Sequence, residues 1–250
     1  MLGIVLSACQ TSHLPPAATD LEARLREPES LAVAHSVTGW SVLSESSLDS
    51  MARELSRTST PCGSRGLRQI LYSRLAASDS IHSPGEALRT GQGSCLALTS
   101  LVALLRERCR CDSTAIIILP GHVVPRWEGT NFETLRFGAA RDAEFYRNFF
   151  RLSERPWYQG EQMRSSRALA GLLWYDLGIA FLERKQVRLA TYCMNRTLKE
   201  LPAYPPALLN LSQIVPSILQ DRLAACALIG DPVLFASDLF VKQHYCPKRL

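Results

Sequence analysis

Cys95 stands where a polar, glycine-rich turn meets a long apolar run, in Gly91-Gln92-Gly93-Ser94-Cys95-Leu96-Ala97-Leu98-Thr99. Leu96, Leu98, Leu101, Val102, Leu104 and Leu105 recur at helical spacing, and the early part of the run is apolar almost all round. That pattern predicts a buried helix ending near Arg108. Cys95 then falls in its first turn, where backbone N–H groups lack partners and the helix dipole is positive. Such an end favours the thiolate, the nucleophilic form of cysteine. The competing reading is a small buried hydrophobe. The functional reading is preferred because a suitable base lies downstream.

That base is His122, in Ile116-Ile117-Ile118-Leu119-Pro120-Gly121-His122-Val123-Val124. The β-branched run from Thr114 predicts a buried strand, which Pro120-Gly121 breaks. A second strand then carries His122, Val124 and Arg126 on one face. Glu128-Gly129 is a turn candidate, and Thr130 to Leu135 a returning strand. A two-residue loop would pair Trp127 with Thr130, Val124 with Glu133 and His122 with Leu135. Glu133 would become the diagonal neighbour of His122, roughly 7–8 Å away at the backbone and within side-chain reach. Asn131 would share that face one step further off, as a possible auxiliary residue. An odd loop length would turn Glu133 to the other face. Pro125 cannot donate to a ladder, which predicts an edge strand or a bulge. Sulfur, imidazole and carboxylate in that order make the general arrangement for covalent acyl transfer.

The chain resembles the transglutaminase-like superfamily of papain-type folds, in its SirB-related bacterial branch. The matching blocks are Leu48-Asp49-Ser50-Met51-Ala52-Arg53-Glu54-Leu55, Gly93-Ser94-Cys95-Leu96-Ala97-Leu98, Pro120-Gly121-His122-Val123 and Asn131-Phe132-Glu133-Thr134. The resemblance covers about residues 45–210. It implies Cys95 as nucleophile, His122 as base and Glu133 in the acidic position. It also implies that short helices pack in front of the cysteine helix. Many members of this branch have no demonstrated activity.

The elements that would position these groups can be read on either side. Leu21, Leu25 and Leu31 form one helical group. Leu48, Met51 and Leu55 form a second, and Leu67, Ile70, Leu71 and Leu75 a third, with Pro84–Leu88 a turn into a short helix. Gln92 reads as a solvated loop residue, and the Cys95 N–H is the better oxyanion donor. Aromatic residues Phe145, Tyr146, Phe149, Phe150, Trp157 and Tyr158 crowd residues 138–165, as a helix covering the cleft or, less favoured, a substrate groove. From 171 to 204, Trp174, Leu177, Gly178, Phe181, Ala190 and Pro202 fall at the offsets of a tetratricopeptide repeat, whose period is about 34 residues. Ala207, Leu208, Leu211 and Val215 mark a following helix, stopped by Pro216. One such unit cannot bury its own face, so it must pack on the preceding domain or on 221–242. The resemblance to these repeats implies peptide binding or docking.

Met1 to Cys9 ends in Leu6-Ser7-Ala8-Cys9, a lipobox pattern with Cys9 as the lipidated residue, although a basic start is missing. The Pro-containing stretch 10–20 suits a tether. No other segment is apolar and long enough to span a membrane. A formal charge of +5 is spread along 250 residues without a basic stripe, so nucleic acid is not implied. With Cys9 lipidated and Cys95 catalytic, Cys62, Cys109, Cys111, Cys193, Cys226 and Cys246 remain. They could pair in an oxidising envelope, and no particular bridge follows from spacing. Without a Cys-x-x-Cys pair, a zinc site is poorly supported, and no cofactor is implied.

The expected fold is α+β: a papain-like core over 10–165, after a signal remnant at 1–9, then tetratricopeptide-like hairpins over 166–250. The expected function is a cell-envelope, lipid-anchored thiol enzyme acting on a protein or peptide by hydrolysis or transamidation. The alternatives are a catalytically silent module that binds a partner protein, a cytoplasmic protein if the lipobox is accidental, and a thiol with only a redox role.

Overall fold

A computed structural model describes residues 19–136, 138–149, 165–202 and 204–214. Cys9, Phe150, Trp157, Tyr158, Val215, Pro216, Cys226, Cys246 and the segment 221–242 lie outside the described residues.

The first three apolar groups each become one helix face. In α1 (Asp20–Ala34), Thr19 caps the start by accepting from the Glu22 N–H at 3.2 Å, and Leu21 and Leu25 are buried. In α2 (Glu45–Ser56), Leu48, Met51 and Leu55 point inward; in α3 (Ser64–Tyr72), Leu67, Ile70 and Leu71 do. A short parallel pair, β1 (Ala76–Ala77) and β2 (Gln92–Gly93), brackets α4 (Pro84–Thr90). Ser83 caps α4, Pro84 opens it, and Gly91 ends it in the left-handed conformation at φ +74°. Gly85 is pressed so closely on residues 41–43 that a Cβ would overlap the Ser41 carbonyl oxygen. Buried Glu29 of α1 ties the two segments together, accepting from Leu43 N–H at 2.7 Å and Gly85 N–H at 2.8 Å.

Next comes α5 (Cys95–Arg108), buried from Leu96 to Arg106. An antiparallel meander follows in the order β3 (Ala115–Leu119), β4 (His122–Trp127), β5 (Thr130–Glu133) and β6 (Ala139–Arg141). Ile116, Ile118, Val123 and Phe132 join the main core with α5. On the other face, Ile117, Leu119 and Val124 form a smaller cluster with Tyr146 of α6 (Ala143–Phe149). The aromatic segment after 138 therefore contributes a helix that covers the sheet and not, as its aromatics suggest, the cleft beside Cys95, which no described residue of α6 lines.

The hairpin register has Trp127 opposite Thr130 and Arg126 opposite Asn131. Glu128 and Gly129, at φ +50° and +75°, make the primed turn that a two-residue hairpin favours. Pro125 is not on an edge strand: β4 lies between β3 and β5, and Pro125 sits opposite Ile116. Counting from the two-residue Pro120–Gly121 turn, Pro125 falls in a pair that exchanges no hydrogen bonds with β3. The missing N–H would instead have faced β5, and the β4–β5 ladder stops one residue short of it. Leu135 consequently does not continue the strand. It belongs to a 3-10 turn, Thr134–Arg136.

The last described helices are α7 (Ser165–Glu183), α8 (Val187–Glu200) and α9 (Pro205–Ile214). Gly178 lets α7 and α8 approach: a Cβ there would lie 2.8 Å from Met194 Cε. Trp174, Leu177, Phe181 and Ala190 are buried, and their cluster is continuous with that of α1, α2, α3 and α5. The neighbour this hairpin requires is supplied by α1 on one side and α9 on the other, with Arg24 of α1 paired to Glu200 at 2.9 Å. The architecture is α+β. Among the described residues no helix is long and apolar enough to cross a membrane.

Cys62 and Cys111 form a disulfide across a sequence separation of 49, joining the α2–α3 loop to the end of α5. Buried Arg106 runs beside it, bonding Thr114 Oγ1 at 3.0 Å and the Cys62 carbonyl, with its guanidinium 4.3 Å from the Trp127 ring centre. By chain entropy a loop of this length contributes up to about 4 kcal/mol. Reduction, or Cys62→Ser with Cys111→Ser, is expected to lower the unfolding free energy by about 2–4 kcal/mol in a urea titration. An unchanged midpoint would show that Arg106 and the apolar contacts suffice.

Candidate active site

The site forms where the start of α5 meets the beginning of β4. Ser94 caps α5, its Oγ accepting from the Ala97 N–H at 3.3 Å, so Cys95 is the first helical residue. One turn on, Thr99 Oγ1 donates to the Val123 carbonyl at 3.2 Å. That bond registers the helix against the strand residue next to His122, and thereby sets sulfur against imidazole.

His122 follows the tight Pro120–Gly121 turn, with its side chain 10% exposed. Its Nε2 lies 2.9 and 3.1 Å from the two Glu133 carboxylate oxygens, and Cys95 is near enough to the ring to favour its cationic form. With Nε2 engaged by the carboxylate, the nitrogen left for the sulfur is Nδ1. Burial pulls the imidazole down, but the bonds to Cys95 and Glu133 and their charges outweigh it, raising His122 to about 9.

Glu133, 4% exposed, has further donors. The Leu135 N–H reaches Oε1 at 3.1 Å, and the Tyr146 hydroxyl reaches Oε2 at 3.1 Å. The 3-10 turn that displaces Leu135 from the strand aims its N–H back at this carboxylate. Burial pushes Glu133 up, but His122 and these donors leave it below its ordinary value. Burial and the Glu133 charge push the Tyr146 and Tyr72 hydroxyls well above the usual phenol range, so both remain protonated. Tyr72 donates to the Thr134 carbonyl at 2.7 Å, steadying the turn after Glu133.

The structure thus brings Cys95, His122 and Glu133 together in one line. Asn131 is not part of it. Its Nδ2 donates to the Arg141 carbonyl at 3.0 Å, holding β6 to β5. Gln92 is exposed in β2. The N–H groups of Cys95 and Leu96 have no intrahelical acceptor, as at any helix start, and lie beside the sulfur. Of the described cysteines outside the disulfide, Cys109 and Cys193 are buried while Cys95 is partly exposed. Burial pushes Cys193 up to about 12.

Cys95 and His122 open into a cleft of about 570 Å³. One wall is α5 and the strands β3 and β4 with Trp40; the other is α7, through Leu172, Tyr175, Asp176, Ile179, Ala180 and Glu183. These α7 residues recur at three- and four-residue steps, so they form one stripe. His82 also lines the cleft and shares a 3.3 Å contact with Asp176, which holds the imidazole above its ordinary value. Sequence reasoning did not select His82, Asp176 or Trp40. The helical periodicity of α7 was visible, but which of its faces meets the cysteine was not.

The chain matches no family model and no curated protein. What the site does is therefore derived from its geometry. Among the described residues no cluster of His, Cys, Asp and Glu has the arrangement of a metal site.

A titration of His122 tests the arrangement. Its folded value lies above the ordinary 6.5, so its stabilising contribution is complete below pH 6.5 and is lost as pH rises through about 9. Glu133 works in the opposite sense, losing its contribution as acid protonates it below its ordinary range. The His122 ring resonance, assigned by its loss in His122→Gln, is expected to titrate near 9. A midpoint at 6.5 would contradict the coupling to Cys95 and Glu133.

Proposed function

We propose that this protein is a thiol-dependent acyl-transfer enzyme of the transglutaminase-like superfamily, in its SirB-related branch, with a papain-like core and a tetratricopeptide-like hairpin. One observation carries the reading: His122, hydrogen-bonded to Glu133, and Cys95, at the head of a buried helix, line one cleft.

In this reaction the Cys95 sulfur attacks the carbonyl carbon of an amide. The carbonyl electrons move to oxygen, beside the N–H groups of Cys95 and Leu96. When the intermediate collapses, the C–N bond breaks and His122 gives its proton to the departing amine. His122, now neutral, takes a proton from water or from an incoming amine. That nucleophile displaces the sulfur from the thioester and restores the starting pair. Glu133 holds the imidazole on Nε2 and stabilises its cationic form, and Tyr146 and the Leu135 N–H hold Glu133.

The placement of α7 in the cleft wall supports a substrate that contacts both the core and the helical hairpin, as a peptide would. The Cys62–Cys111 bridge supports an oxidising compartment, in keeping with a cell-envelope protein anchored through Cys9.

An activated ester reports on the chemistry without the natural substrate. p-Nitrophenyl acetate should release a nitrophenolate burst of about one equivalent, with the acetyl group on Cys95 by mass spectrometry. Cys95→Ser should abolish the burst. His122→Ala should slow it about 10²-fold or more, the usual contribution of a positioned base. A protein that gives no burst, and whose Cys95 reacts with iodoacetamide no faster than Cys109 and Cys193, is the silent binding module instead.

A further inference from the structure

Among the described residues that line the cleft, acidic groups outnumber basic ones. Asp79, Asp176 and Glu183 are there and no lysine or arginine is, although the chain as a whole has a formal charge of +5, and the His122 imidazole is offset by Glu133. Asp176 and Glu183 lie seven residues apart on the stripe that α7 presents to the cysteine. Trp40, Tyr175 and Tyr204 line the same space, with the rings of Tyr175 and Tyr204 edge to face at 5.3 Å. Aromatic rings and carboxylates around one cavity make two independent preferences for a cation: the negative ring faces and the negative oxygens. His82 opposes them only in part. It is bonded to Asp176, so its positive charge offsets that carboxylate, while Glu183 and Asp79 keep theirs.

We infer that the cleft is selective for a substrate bearing a cationic side chain, ammonium or guanidinium, near the reacting carbonyl, and that α7 supplies the selecting carboxylates Asp176 and Glu183. This rests on Cys95 being the reacting group. An anionic substrate is disfavoured by the same carboxylates, because like charges repel. The helical hairpin is in this view part of the specificity machinery.

Three thiol reagents of one reaction type separate the possibilities. The cationic trimethylammonioethyl, neutral methyl and anionic sulfonatoethyl methanethiosulfonates each form a mixed disulfide with a thiolate and expel methanesulfinate. Rates at Cys95 in the full-length protein are read by mass spectrometry and divided by the rates on 2-mercaptoethanol, which removes the intrinsic differences among reagents. The cation-to-anion ratio at Cys95 should exceed that of the free thiol about tenfold or more, as a focused field produces. It should fall in Glu183→Gln, fall further in Asp176→Asn with Glu183→Gln, and shrink in 0.5 M NaCl. Glu183 is exposed at the end of α7, so its substitution leaves the fold intact. A wild-type ratio equal to that of 2-mercaptoethanol overturns the inference. A raised ratio that survives the double substitution overturns the assignment to α7. Failure of the acyl-transfer reading shows elsewhere, as a missing acetylation burst with the charge ratio intact.

Discussion

A carboxylate held almost out of water, Glu133, is the constraint around which the site is built. An ionised group in that position is tolerated only when its oxygens are met by donors. Three groups meet them here: an imidazole, a backbone N–H and a phenol, from β4, the 3-10 turn and α6 in that order. Three separate elements must therefore converge on one side chain. Their convergence fixes the tilt of the His122 ring, and the ring in turn fixes what faces Cys95. The raised imidazole and the lowered carboxylate are two consequences of this one arrangement.

A second set of contacts delivers the sulfur. α5 is buried over most of its length and has little freedom to slide, and Thr99 pins it to the Val123 carbonyl. The part of that cleft wall built by Trp40 depends on a different buried carboxylate. Glu29 binds the backbone of Leu43 and Gly85 and so anchors the loop carrying Trp40. The apolar core then passes without a break from α5 to α7, which is how a helix that follows the sheet by many residues becomes a wall of the cysteine cleft. Preorganisation of this kind holds the polar groups in place, so that the proposed reaction would need no rearrangement of them.

Particular residues show how far sequence reading reaches. Cys95 at a helix start was legible because a glycine-rich turn and a run of leucines are local signals. The three amphipathic groups before it were legible for the same reason. The proximity of Glu133 to His122 was legible only through an assumed two-residue loop, and Glu128-Gly129 makes that loop. Pro125 misleads: its missing donor points to an edge strand or a bulge, whereas the strand is internal and only its ladder to β5 is cut short. Leu135 misleads for a related reason, because the chain turns into a 3-10 segment where the ladder ends. Asn131 shares a face with Glu133 but turns its amide to β6, a strand that had not been anticipated.

By itself the sequence determined what repeats over a few residues: helix faces, the start of the cysteine helix, the tight turns at Pro120-Gly121 and Glu128-Gly129, and the order of sulfur, imidazole and carboxylate along the chain. These depend on dihedral preferences and short-range periodicity, which each stretch carries with it. Only the tertiary structure decided that Cys62 bonds Cys111, that α1 and α9 cover the α7–α8 hairpin, and that α7 turns Asp176 and Glu183 toward Cys95. Those outcomes depend on which apolar surfaces bury each other across long separations. Burial is non-directional, so many pairings satisfy it locally and only the packing of the whole core selects among them.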